Sequence, residues 1–209
     1  MNLRRDLELI ADWIRPGSHV LDLGCGDGAL LAHLAETKSI TGYGLEIDPD
    51  NIARCIARGV DVLQIDLDRG LSEFDSGGFD YVIMTQSLQA LHFPDRILGE
   101  MLRIGREAVT SFPNMGHWKC RLQLAVAGHM PVTRALPHHW YDTPNIHMCT
   151  VHDFERLCDA HGYRVLERAA VDRHHRETPA TRILPNLFGE SAVFRFERDG
   201  GRQPGTPAA

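Results

Sequence analysis

A short apolar strand runs straight into a glycine-rich loop near the start of this chain. Val20-Leu21-Asp22-Leu23 leads without a break into Gly24-Cys25-Gly26-Asp27-Gly28, and a lone acid, Glu46, follows Gly24 by 22 residues at the end of a second apolar segment. Glycines let the backbone turn tightly and approach a ligand at the start of a helix. An acid at that distance can accept both hydroxyls of a ribose. The pattern constrains the fold to a strand–loop–helix–strand unit and points to a nucleoside-containing ligand.

The spacing does not choose the nucleoside. Gly24, Gly26 and Ala29 also satisfy the looser dinucleotide pattern. Charge separates the options. A dinucleotide seats its pyrophosphate on a helix N-terminus, where carboxylates would oppose it. Asp22 lies just before the loop and Asp27 within it. S-adenosylmethionine carries no phosphate but has an ammonium and a sulfonium, which carboxylates favour. The expected ligand is therefore S-adenosylmethionine, or its product S-adenosylhomocysteine, rather than NAD.

The rest of the chain alternates in the same rhythm. Leu3, Leu7, Ile10 and Ile14 have helical spacing, ended by Arg15-Pro16-Gly17, and this helix is expected to cover one edge of the core. Strands are expected at His19 to Leu23, Ile40 to Ile47, Val60 to Ile65 (ending at Asp66), Phe79 to Met84 and Glu107 to Phe112. Helices are expected from Ala29 to Ala35, from an Asp48-Pro49 start to Arg58, and from Pro94 to Ile104. Two late strands, Tyr163 to Val171 and Ser191 to Glu197, follow a helix that opens on a Thr150-Val151-His152-Asp153 capping box and closes at Gly162. Strands alternating with helices make an α/β fold: a doubly wound, mostly parallel seven-stranded sheet of Rossmann-like type. Ligands bind such sheets at the carboxyl ends of the strands. Asp22, the glycine loop, Glu46, Asp66 and the Thr85-Gln86-Ser87 segment all fall there.

Residues 113–149 break the rhythm. They hold a short expected helix (His117 to Val126), then Pro131, Pro137 and Pro144 with the aromatic run His138-His139-Trp140-Tyr141. A long irregular segment of this kind suits a lid or a partner surface. Residues 1–197 read as one domain, and 198–209, polar and rich in Gly and Pro, as a disordered tail.

Composition narrows the function classes. Hydrophobic residues make up 43% and net charge is −6, with no long basic run, so no nucleic-acid partner is expected. No stretch reads as membrane-spanning, and Met1 leads directly into the first helix, so the expected compartment is the cytoplasm. Five scattered cysteines fit reduced thiols, and Cys25 reads as a small packing residue in the loop. The 12 histidines show no zinc spacing, so no metal is expected. No G-x-S-x-G nucleophile elbow occurs, which argues against covalent acyl transfer by this chain alone. Thr110-Ser111-Phe112-Pro113-Asn114 has a superficial likeness to an amino-group DNA methyltransferase motif but follows the wrong strand. His92 after the fourth strand could serve as a base or simply begin a helix, and no catalytic residue is assigned.

The order of motifs resembles the class I S-adenosylmethionine-dependent methyltransferase superfamily. Within it, the chain resembles the MetW family of methionine-biosynthesis proteins. The resemblance is carried by Leu21 to Gly28, by Phe79-Asp80-Tyr81-Val82-Ile83 with Gln86-Ser87-Leu88-Gln89-Ala90, by Ser111 to Trp118 with Arg121, and by Leu136-Pro137 through Trp140-Tyr141-Asp142-Thr143-Pro144-Asn145-Ile146-His147. It implies a cofactor site at Asp22, Gly24, Cys25, Gly26, Asp27, Gly28, Glu46, Ile47, Asp66, Gln86 and Ser87. It also implies a role beside a homoserine O-acyltransferase, an α/β-hydrolase that would carry the acyl-transfer machinery. Two readings stay open, an accessory subunit of that enzyme and an active small-molecule methyltransferase. Self-association stays open as well.

Overall fold

The computed structural model describes residues 3–172 and 176–200; of Arg5 only the backbone is described. The His174-His175 pair and most of the expected tail lie outside the described residues. The seven strands form a single sheet, in the spatial order β3-β2-β1-β4-β5-β7-β6. They are β1 (His19–Leu23), β2 (Thr41–Glu46), β3 (Val62–Gln64), β4 (Phe79–Thr85), β5 (Gly105–Pro113), β6 (Tyr163–Val171) and β7 (Ser191–Arg198). All pairings are parallel except those of β7, which runs antiparallel to both β5 and β6. The expected doubly wound α/β class therefore holds.

Both faces of the sheet are covered, and the period-two alternation of the strands sorts side chains between them. Val20, Tyr81, Ile83, Val109 and Val193 face α1 (Arg5–Trp13), α2 (Ala29–Lys38) and Cys55 of α3 (Pro49–Ala57). Leu21, Leu23, Leu45, Val82, Met84, Phe112 and Phe194 face α4 (Pro94–Ile104) and α6 (Val151–His161). Phe112, Phe154 and Phe194 form the aromatic centre of that second layer, with ring centroids 4.6–5.9 Å apart. The first helix thus lies on a face of the sheet. Its buried residues Ile10, Ala11 and Ile14 pack with Val20 and Leu34.

Capping chemistry sets several helix starts as the sequence suggests. Asp48 caps α3 through its side chain, with Pro49 in the first turn. Thr150 and Asp153 form a reciprocal capping box on α6, which Gly162 ends in the left-handed conformation. Other boundaries shift. β3 shrinks to three residues, and α2 extends to Lys38, whose Nζ donates to Ile14 O at 2.6 Å. The helix expected over His117 to Val126 divides into α5 (Trp118–Leu122) and a π-helical turn over Gln123–Ala127. Arg198, assigned to the tail, is the last residue of β7. Two short helices between β6 and β7, α7 (Pro179–Ile183) and α8 (Pro185–Phe188), have no counterpart in the expectations.

The chain leaves β1 for β2 on one side, while β4 adds to its other side. The crossovers diverge at that point, which opens a crevice above the carboxyl ends of β1 and β4.

Candidate functional site

The glycine loop fills the floor of this crevice. Gly24 and Cys25 both donate to Leu45 O, at 2.8 and 3.1 Å, which fastens the loop to the neighbouring strand. Gly24 has φ +68°, and a Cβ there would come within 2.7 Å of Ser87 Oγ. Only glycine fits that turn without strain. Gly44, on β2, has an ordinary backbone but a tight neighbour: a Cβ would lie 2.3 Å from Cys25 Sγ. Cys25 thus packs under the loop, with its thiol 3.8 Å from that of Cys55. Burial pushes the Cys25 thiol pKa up, and Asp22 adds to the effect.

Glu46 organises the upper part of the loop. It is 8% exposed. Its Oε2 accepts from Gly26 N at 2.8 Å, and its Oε1 accepts from Ile47 N at 2.8 Å and Asp48 N at 3.0 Å. A carboxylate offers about four lone-pair sites, so three amides leave one for a ligand hydroxyl. Ile47 projects half-exposed beside it at the rim.

Asp22 is the most perturbed carboxylic acid among the described residues. It is 1% exposed, and its Oδ1 has no hydrogen-bond partner. Burial raises its pKa from 3.8 to about 7, with the negative Glu46 adding to the rise. A buried acid with an orphaned oxygen is a group that a cation or a donor would satisfy.

The other expected residues divide by location. Asp27 pairs with Arg58 at 2.6 Å, while its Oδ1 accepts from Ala29 N at 3.2 Å at the start of α2. Its charge is therefore countered by Arg58, whereas Asp22 makes no ion pair with a described residue. Gly28 takes φ +73° as the cap of α2. Asp66 caps a 3-10 turn over Leu67–Arg69, accepting from Asp68 N at 3.1 Å. Gln86 sits at φ +57°, unusual for a residue with a side chain. Its N donates to Ser111 O at 2.9 Å, and its O accepts from Gln89 Nε2 at 2.8 Å. Ser87 Oγ donates to Thr85 O at 3.1 Å.

A cleft of about 430 Å³ gathers Gly24, Cys25, Gly26, Asp27, Thr85 and Gln86. The same cleft is lined by Leu3, Arg4 and Leu7 from the chain's start and by Arg58 from the end of α3. Sequence reasoning missed these four. The helical period of Leu3 and Leu7 shows that a face is apolar but not what the face meets, and nothing local marks Arg58 as the partner of Asp27. Asp22 within β1, Gly28 at the start of α2, and Glu46, Ile47, Asp66 and Ser87 at or just after the carboxyl ends of β2, β3 and β4 stand outside that lining.

His92 forms a pair with Asp68: Nδ1 lies 2.8 Å from Oδ2, and the His92 amide donates to Oδ1 at 2.9 Å. Asp68 is held below its ordinary pKa chiefly by that hydrogen bond. Asn114, in the short proline motif, is buried and spends its polar atoms on structure. Its Nδ2 donates to Asn186 O and Gly189 O, and its Oδ1 accepts from Gly116 N and Val151 N.

Comparisons with known proteins agree with this architecture. The family described as "Methionine biosynthesis protein MetW" matches residues 4–196. The "Bifunctional methionine biosynthesis protein MetXA/MetW" of Rhodopirellula baltica is 35% identical over 210 residues, covering 95% of this chain and 33% of that protein. Nocamycin O-methyltransferase of Saccharothrix syringae is 33% identical over 131 residues, covering 55% of this chain and 45% of that one. The chain therefore spans less than half the length of either curated relative. In three dimensions it is similar to a SAM-dependent methyltransferase from Archaeoglobus fulgidus, with a TM-score of 0.68, 15% identity, and coverage of 93% of this chain and 92% of that one. Glycine loop, strand order and near-full-length match together show that the chain belongs to the MetW family of methionine biosynthesis proteins.

Proposed function

We propose that the cleft above β1 and β4 binds S-adenosylmethionine or S-adenosylhomocysteine, and that the protein supports a homoserine O-acyltransferase in forming O-acyl-homoserine. The observation that carries the partnership is the Rhodopirellula baltica relative, whose name joins MetXA and MetW in one bifunctional protein. The cofactor reading rests on the residues present. Glu46 keeps an acceptor site for a ribose hydroxyl, and Asp66 stands at the next strand end for the base. Asp22 offers its orphaned Oδ1 toward a positive charge. Gly24 and Gly26 allow close approach to the backbone. When bound, S-adenosylmethionine supplies an electrophilic methyl group; the chain's own contribution is to hold and orient it.

The segment between β5 and α6 is the proposed partner surface. Of the seventeen large hydrophobic side chains exposed among the described residues, ten lie between residues 118 and 148. Trp140 and Tyr141 are 74% and 70% exposed. Monomeric surfaces rarely gather apolar groups so densely. The free cysteines suit a reducing compartment, and no described helix is long and apolar enough to cross a membrane.

Homoserine acylation by the acyltransferase, measured with and without this protein and with and without S-adenosylmethionine, tests the reading. A raised rate supports it, and a further change with the nucleoside adds a sensing role. An unchanged rate under all four conditions sinks it. A second reading, methyl transfer to a small molecule, is favoured by the likeness to nocamycin O-methyltransferase. Turnover of S-adenosylmethionine to S-adenosylhomocysteine with a candidate acceptor would establish it.

A further inference from the structure

A second cavity, of about 330 Å³, adjoins the cleft and shares Arg4 and Gln86 with it. It sits at the same end of the sheet. Gln86 follows β4, Asp172 follows β6, and Glu190 and Ser191 open the antiparallel β7. Arg4 comes from the start of α1, and Arg134 lines the cavity from the irregular segment.

The charges here are mixed and unequally spent. Arg4 is held bidentately by Asp6, at 2.8 and 3.0 Å. Asp172 is already engaged, its Oδ1 accepting from Arg176 N at 3.0 Å. Glu190, 9% exposed, has a loose pairing with Lys119 at 3.5 Å. Arg134 makes no hydrogen bond or ion pair with any described residue. A guanidinium that lines a cavity without a partner suits a carboxylate, which it can grip with two parallel hydrogen bonds. A simple anion would meet the carboxylates of Asp172 and Glu190 in the same cavity. A simple cation would meet Arg134. A molecule bearing both signs a few ångströms apart satisfies the two sides together. The volume is at the small end of ligand sites, and the Gln86 amide and Ser191 hydroxyl add polar contacts beyond the charges.

We infer that this cavity binds a free α-amino acid, with its carboxylate on Arg134 and its ammonium toward Glu190. The site would place the amino acid beside the nucleoside cleft, and the inference rests on the proposed function only for what lies next door. An α-amino-carboxylate group could also come from S-adenosylmethionine itself, so the test has to separate the two sources.

Calorimetric titration of the full chain with L-methionine and with L-homoserine does so, run both without nucleoside and with saturating S-adenosylhomocysteine. Saturable binding of one of the two in both conditions is expected. Analogues lacking the carboxylate or the ammonium should bind at least about tenfold more weakly, as should the original amino acid to Arg134→Gln, since each loses a charge-assisted contact. Arg134 is exposed, so this substitution should leave the fold intact, and unchanged binding of S-adenosylhomocysteine to the variant would confirm that. Arg134→Lys should restore part of the affinity. Absence of saturable binding for both amino acids, or equal binding by Arg134→Gln, overturns the inference. Loss of amino-acid binding once S-adenosylhomocysteine is present also overturns it, because the cavity then belongs to the nucleoside's own end. Nucleoside binding without amino-acid binding would sink this inference alone. Amino-acid binding without nucleoside binding would sink the cofactor reading and leave this one standing.

Discussion

The glycine loop and the segment between β5 and α6 follow opposite rules. In the loop, polar groups are largely spent inside the protein: Glu46 takes three backbone amides, Asp27 takes Arg58, and Gly24 and Cys25 bond to Leu45. Burial and close packing fix its shape before any ligand arrives, as preorganised binding requires. In the segment, apolar side chains stand in solvent. Its polar anchors include the Ile146 and His147 amides, which donate to Gln89 O, Gln123, which brackets Val132, and Lys119, which pairs with Glu190. One region carries its specificity in backbone geometry. The other leaves its apolar surface exposed, the face proposed to meet a partner.

The root of the segment breaks this contrast, because it is as tightly specified as the loop. Asn114→Ala would strand buried backbone groups of Asn186, Gly189 and Gly116 that the side chain now satisfies, leaving Val151 N its second acceptor, Asn186 Oδ1. The expected loss is about 3 kcal/mol or more, read as a lowered urea midpoint. A loss under about 0.5 kcal/mol would mean that solvent replaces these bonds and the root is looser than its geometry implies.

The loop itself should respond next most strongly. Gly24→Ala forces an L side chain to φ +68° and toward Ser87. About 2 kcal/mol of stability should be lost, with nucleoside affinity falling alongside it. Combining it with Ser87→Gly should recover the part due to the clash and leave the part due to the backbone. Full recovery would show that the turn tolerates a side chain.

These two sites also show why the sequence was only partly readable. The loop was legible because Gly24, Gly26, Asp22 and Glu46 act through local geometry, and strands with period two name their own faces. The root was not, because Asn114 acquires its role from Asn186 and Val151, far along the chain. The same holds for Arg4, Arg58 and Arg134, whose place in the clefts depends on how α1, α3 and the irregular segment fold over the sheet end. Helices α7 and α8 escaped notice since helices of five and four residues leave too short a pattern for a helical period to register.

Asp22 sharpens the comparison through pH. Its folded pKa of about 7 lies above the ordinary 3.8. Between those values the folded state keeps a proton that the unfolded state has lost. Stability should therefore fall as pH rises across that window, by at most about 1.4 kcal/mol per pH unit, and level off above it. Asp22→Asn should lose this slope. A cationic ligand beside Asp22 favours the ionised carboxyl, so S-adenosylmethionine should bind more tightly as pH rises toward and past about 7. S-adenosylhomocysteine, without the sulfonium, should show a weaker dependence. Equal pH profiles for the two ligands would place the sulfonium away from Asp22.

Trp140→Ala should have the smallest effect on the isolated protein and still separate the two regions most cleanly. The side chain is 74% exposed, and its described ring contact is an edge-on one with Tyr141, itself 70% exposed. Surface substitutions of this kind change stability by about 0.5 kcal/mol or less, so thermal unfolding and nucleoside affinity should stay near those of the parent. Aromatic side chains commonly act as anchors at interfaces, so co-purification with the acyltransferase and stimulation of acylation should both drop. The combination is what discriminates: a docking residue loses the partner and keeps the fold, while a loop-anchoring residue loses stability first. If the variant melts early, the aromatic run is holding the segment down, and the unused surface must be sought among Leu122, Leu124 and Val126 instead.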